Sequence, residues 1–140
     1  MWRLHPMVIH FPIALFISAL GIQIAGLIGK KESLRQTALY LYILGAFMAP
    51  LAVQTGLWEA ENLRVMHPIV EIHERFGRLT MGSSLLSLPL LWIVKRKSPK
   101  AFNTLFVICL VVVVGFVVVT AYHGGRMVYE YGVGVEEDLP

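Results

Sequence analysis

His5-Pro6-Met7-Val8-Ile9-His10 opens the first apolar stretch of the chain, and His67-Pro68-Ile69-Val70-Glu71-Ile72-His73 opens the third. A His-Pro step followed by an apolar pair and a second histidine, met at equivalent points of two halves, predicts a duplicated helical hairpin with imidazoles at its mouth.

The apolar stretches themselves are long. Residues 7–29, 38–58, 76–94 and 102–122 each reach the roughly 20 helical residues needed to cross a hydrocarbon layer of about 30 Å. Three of them lack Asp, Glu, Lys and Arg, and the remaining one holds only Arg78, near its start, where a long side chain snorkels to the interface. In a chain of 140 residues that is 56% apolar and 15% charged, this pattern excludes an ordinary small soluble domain. The expectation is one all-α domain in the lipid bilayer: an up-down four-helix bundle of two duplicated hairpins with a short extracytoplasmic tail. Arg3 before the first run imitates a secretory signal, but the run is long and its His-Pro opening is echoed by the third, so it is expected to be retained. Pro12, Pro50 and Pro89 are candidate kinks within the spans. Cys109 stands alone, so the chain has no intrachain disulfide, CxxC metal site or c-type haem attachment motif.

Charge assigns the sides. All lysines fall in residues 30–35 and 95–100, the two short loops that follow the first and third spans, and the positive-inside bias places both in the cytoplasm. Both termini and the central loop are then extracytoplasmic, as expected for a multi-pass protein of a bacterial inner membrane. Of the acidic residues only Glu32 is on the lysine side. With charge segregated in this way, the net +3 is a topology signal and no nucleic-acid footprint.

The same topology gathers His5, His10, His67, His73 and His123 at the extracytoplasmic face. Counting about 1.5 Å per residue from the cytoplasmic lysines puts His10, His73 and His123 at nearly one depth, with His5 and His67 about 7 to 9 Å further out. Spans one and three lie diagonally in such a bundle, so His10 and His73 are expected to reach toward each other. Two imidazoles on facing helices suffice to hold a b-type haem, with His123 as the alternative or additional ligand. Three or more of the five histidines would equally serve Cu or Zn. Taken singly, an interfacial histidine is more often an anchor or a helix-end hydrogen-bonder, and His5 and His67, each before a proline, are expected to be extended at helix starts. Arg64, Arg75, Arg78 and Arg126 are candidates for haem propionates, with pairing to nearby glutamates the competing role. Trp2, Trp58, Tyr122, Tyr129 and Tyr131 fit an aromatic belt or the lining of a quinone or haem edge. Gly124-Gly125 is expected to end the fourth helix in a left-handed cap, and the glycine-rich segment after it to fold over the bundle mouth. No Walker loop, dinucleotide fingerprint, HExxH or GxSxG occurs, so hydrolytic and nucleotide-dependent catalysis have no support.

The opening His5-Pro6-Met7-Val8-Ile9-His10-Phe11-Pro12-Ile13-Ala14-Leu15, the Thr55-Gly56-Leu57-Trp58 segment, and the run from His123-Gly124-Gly125-Arg126 through Tyr131-Gly132-Val133-Gly134-Val135 together resemble the bacterial membrane proteins of domain-of-unknown-function family 2231. The resemblance implies a four-span fold and a redox neighbourhood, since some relatives carry Rieske-type or cytochrome-associated regions; it supplies no reaction. No Rieske pattern of Cys and His occurs in this chain, so such a partner would be a separate polypeptide. The functional expectation is a haem b-binding electron-transfer subunit, more an accessory subunit than a stand-alone enzyme, working between a membrane donor such as quinol and an extracytoplasmic acceptor. A Cu/Zn-binding membrane protein and a non-catalytic scaffold subunit stay open beside it.

Overall fold

A computed structural model describes residues 4–63, 67–133 and 135. Four helices hold nearly all of them: α1 (Leu4–Ile28), α2 (Glu32–Leu63), α3 (Pro68–Lys97) and α4 (Pro99–Tyr129). Each is long and apolar enough to cross a membrane, and no strand occurs among the described residues. α2, α3 and α4 overrun the apolar spans at both ends, because polar and charged turns continue the helix, whereas α1 overruns its span only at the start.

Local chemistry sets the boundaries. α3 starts on His67, whose extended backbone (φ −125°, ψ 136°) and Nδ1 acceptor for the Ile69 amide make it the cap, with Pro68 in the first turn. Ser98 closes α3 and opens α4, accepting from the Ala101 amide ahead of Pro99. Between α1 and α2 the chain turns through Lys30 at φ 52°, with the Lys31 amide bonded to the Gly26 carbonyl. Pro12, Pro50 and Pro89 all lie inside helices that continue past them.

Two expectations fail here. His5 is not extended ahead of its helix: α1 begins at Leu4 and includes it. Gly124-Gly125 does not end α4, which runs five more residues past Gly124, to Tyr129; the positive φ falls instead at Gly132 (62°). Beyond it, the Val133 amide bonds back to the Met127 carbonyl at 2.8 Å.

α1 packs closely on α2 and α3 on α4, and the two hairpins meet more loosely along α2–α3 and α1–α4. Close approach within the first hairpin needs glycine. A Cβ on Gly45 would lie 2.9 Å from the Phe16 ring, and one on Gly26 would lie 3.0 Å from the Arg35 backbone nitrogen. The core at mid-depth is aromatic: Phe16, Tyr42 and Phe106 follow one another at ring separations of 5.5 and 5.4 Å, surrounded by Leu91, Leu110 and Val113. At the basic end Arg96 lies over the Trp92 ring and Lys95 over the Phe102 ring, the snorkelling expected of interfacial cations.

The duplication is present in the burial pattern, at a register different from that of the His-Pro steps. α1 buries Pro12, Phe16, Ala19 and Gln23; α3 buries Thr80, Ser84, Ser87 and Leu91, each 68 residues on. α2 and α4 repeat the relation with Ala38, Tyr42 and Ala49 against Phe106, Leu110 and Val117. The His-Pro steps are only 62 residues apart. The structural counterpart of His73 is therefore His5, and His10 matches Arg78. Depth counted from lysines misses this because residues 95–97 form the last turn of α3, whereas Lys30 lies in the turn beyond α1.

Candidate functional site

Where the hairpins diverge at the histidine end they enclose a cavity of about 500 Å³, within the roughly 300–1,000 Å³ typical of small-molecule and cofactor sites. Its wall is mainly apolar, with small residues at Ala49, Ala52 and Gly56 from α2 and at Gly77, Ala121 and Gly124 from α3 and α4, and it also includes Glu59 and Glu74. Two imidazoles face each other in it, His5 from α1 and His73 from α3, with ring centroids 6.1 Å apart and planes at 86°.

Each ring is held by the other helix of its own hairpin. His5 donates from Nδ1–H to the Ala52 carbonyl at 3.0 Å, and His73 donates from Nδ1–H to the Thr120 carbonyl at 2.9 Å. The two acceptors are again 68 residues apart. One turn beyond each acceptor stands a glycine against which the ring lies: a Cβ on Gly56 would fall 2.8 Å from His5 Cε1, and one on Gly124 would fall 3.0 Å from His73 Cε1. A carbonyl acceptor at Nδ1 fixes the proton there and leaves Nε2 with its lone pair. That is how ligating histidines are oriented, with the second nitrogen donating to a carbonyl.

The other sequence candidates occupy different places. His10 is exposed at the cavity rim, its Nδ1–H turned back on the Pro6 carbonyl of its own helix, about 7 Å deeper than His5. It does not take the place opposite His73. His123 is level with His73 but bonds the Val119 carbonyl of its own helix at 2.8 Å and stacks on Phe76. Neither it nor His67 lines the cavity; His67 caps α3 and sits 4.4 Å from the Tyr131 ring. Arg78 pairs with Glu74 at 3.1 Å, and Arg126 with Glu130 at 2.7 Å and with the Tyr131 hydroxyl at 3.1 Å; neither lines the cavity. Trp2, Arg64 and residues 136–138 lie outside the described residues. Val133 from the tail does reach the cavity wall, as the expected fold-over of that segment requires.

Sequence reasoning placed His5 too far out and passed over Gly56 and Gly124 as seats for rings. The signal was there in principle, since each of His5 and His73 is followed 51 residues later by its glycine. Among the described residues no three His, Cys, Asp or Glu side chains converge on a point that would hold a metal ion.

The chain matches a family model described as a predicted membrane protein (DUF2231) over residues 2–137. No curated protein and no solved structure matches the chain.

Proposed function

The chain belongs to the predicted membrane proteins of DUF2231, and from the geometry of its cavity we propose that it holds a b-type haem between His5 and His73 and serves electron transfer. The observation that carries this reading is the symmetric mounting of two imidazoles in an apolar cavity. With a metal–imidazole bond of about 2 Å, a ligating ring has its centre roughly 3 Å from the ion. The 6.1 Å between the two ring centres matches the spacing of two imidazoles that share one ion.

Two ligands suffice for haem, whereas a Cu or Zn site wants three or more, and no such group forms among the described residues. Bound there, haem supplies one-electron chemistry. The chain's own part is positional: the Ala52 and Thr120 carbonyls keep Nε2 of each ring free, and the apolar wall excludes water. A membrane donor such as quinol and a separate extracytoplasmic acceptor are the partners this reading calls for. Segregation of the lysines supports an orientation with the histidine end extracytoplasmic.

The test is an absorption spectrum and metal analysis of protein purified in mild detergent after expression with ample haem. The expected result is stoichiometric low-spin haem, lost in His5→Ala and in His73→Ala and kept in His10→Ala, His67→Ala and His123→Ala. Purified protein without haem, or haem lost with His10 and kept without His5, overturns the reading.

A further inference from the structure

The cavity is not equally closed on all sides. Four residues of its wall are exposed, Pro6 and His10 from α1 and Ala121 and Val128 from α4, whereas none of those it takes from α2 and α3 is. The opening is therefore a window between α1 and α4, along one of the two seams where the hairpins meet loosely. The repeat shows what shuts the other seam. Ala121 has Val53 as its counterpart, a larger side chain whose Cγ2 lies 3.9 Å from where a Cβ on Gly77 of α3 would be. Val128 and Pro6 have Ala60 and Glu74, both partly buried. His10 has Arg78, which pairs with Glu74 and takes no part in the wall.

Depth decides what can use the window. His10 and Ala121 lie inside the apolar stretches 7–29 and 102–122, so the window faces the outer edge of the hydrocarbon. Phe11, Val118 and Tyr122, all exposed, continue the lipid-facing surface around it. A molecule that enters here arrives dissolved in lipid. His10 is the one polar side chain in the window's frame, and its Nδ1–H is spent on the Pro6 carbonyl, which leaves Nε2 as an acceptor. In so apolar a setting an acceptor calls for a neutral hydroxyl, because a polar group without a partner there is costly. The charged side chains of the wall are Glu59 and Glu74, with no Arg or Lys among its described residues, so an anionic phosphate headgroup is repelled. Beyond the frame the mainly apolar wall with its small residues has room for a flat ring.

We propose that the α1–α4 window is the entry and binding site of a lipid-dissolved quinol, whose ring hydroxyl donates to Nε2 of His10. The choice of a quinol among hydroxylated molecules of the bilayer rests on the electron-transfer reading above, which calls for such a donor; the window, its depth and its acceptor do not. A diglyceride hydroxyl offers the same donor without the ring, and the experiment separates the two sources.

The full chain in mild detergent is titrated with para-decyloxyphenol, which has the hydroxylated ring and apolar tail of a quinol. It should bind roughly tenfold more tightly than its methyl ether, which lacks the donor, the difference that about one hydrogen bond makes. His10→Gln keeps an acceptor and should keep that preference, His10→Phe should erase it, and Ala121→Leu should fill the window and abolish binding. A diazirine analogue of the phenol serves on the unaltered chain if the last variant fails to fold; it should mark α1 and α4. Equal binding of phenol and ether, an unchanged preference in His10→Phe, unaltered binding in folded Ala121→Leu, or marking confined to α2 and α3 overturns the site. Displacement of the phenol by an equal concentration of dioleoylglycerol overturns the assignment to a quinol. Haem content read in the same samples separates the two proposals: phenol bound as expected by a chain that takes up no haem ends the haem reading alone, and a haem-loaded chain indifferent to the hydroxyl ends this one alone.

Discussion

His5 and His73 differ from the other three histidines in what their Nδ1 protons do. His10 and His123 spend theirs on their own helices and His67 caps α3, whereas His5 and His73 bond across to the neighbouring helix. The glycines beneath them make that reach possible, which gives a direct prediction. Gly56→Ala and Gly124→Ala each bring a Cβ against the Cε1–Nδ1 edge of an imidazole bonded through that Nδ1 to a carbonyl of the same helix, so the ring must shift on its bond or the helices must part. Each variant should lose haem occupancy and stability by about 1–3 kcal/mol in detergent melts, the usual cost of overpacking. A Gly56→Ala protein with unchanged melting and unchanged haem would show that the ring has room the geometry denies it. At mid-depth Tyr42→Phe removes the hydroxyl bonded to Ser87, while Ser87 keeps its Ser84 carbonyl. Its expected cost is about 1 kcal/mol, that of one buried hydrogen bond.

The elements divide into those legible in sequence and those whose relation is not. Apolar length located four helices, and the dipeptides His67-Pro68 and Ser98-Pro99 mark the starts of α3 and α4 for a chemical reason: an acceptor ahead of a residue that has no amide to satisfy. Register was misread because the same dipeptide has two jobs. His67-Pro68 caps α3, whereas His5-Pro6 lies within α1, so likeness of the motifs is no equivalence of position. The true repeat is carried by which residues are buried, and burial follows from packing that sequence does not display. Gly124-Gly125 was misleading for a similar reason, since its lack of side chain seats His73 and ends nothing. Glycines elsewhere test the packing of elements. Gly26→Ala meets the Arg35 backbone and Gly45→Ala meets a buried ring, so both should weaken the α1–α2 hairpin. Gly21→Ala and Gly115→Ala meet nothing within 4 Å and should stabilise their helices by about 0.5–1 kcal/mol. Melting temperatures of the four variants in one detergent decide it, and destabilisation by Gly115→Ala would reveal a contact on that face.

For the whole molecule the question is which end of the bundle faces which compartment, because the haem reading places electron delivery outside. The basic end carries Lys30, Lys31, Arg35, Lys95, Arg96, Lys97 and Lys100 against the single acid Glu32. Retention of such short basic loops on the cytoplasmic side is the best-attested rule of membrane topology. Among the described residues the histidine end sets Arg75, Arg78 and Arg126 against Glu59, Glu61, Glu71, Glu74 and Glu130, and four of these form two ion pairs along their own helices, so no excess of basic residues opposes its translocation. The prediction is that Ser33→Cys and Ser98→Cys, each made in a Cys109→Ser background, resist an impermeant thiol reagent on intact cells. Both should label once the membrane is opened. Glu71→Cys, exposed near the start of α3, should label from outside without that treatment. Since Ser98 joins α3 to α4 and Ser33 lies in the first turn of α2, the two sites report on separate hairpins. Agreement between them tests the parallel placement of the two repeats as well as their direction. Labelling of Ser98→Cys alone from outside would mean that the hairpins are inverted relative to each other, which would remove His73 from the side of His5 and end the haem reading.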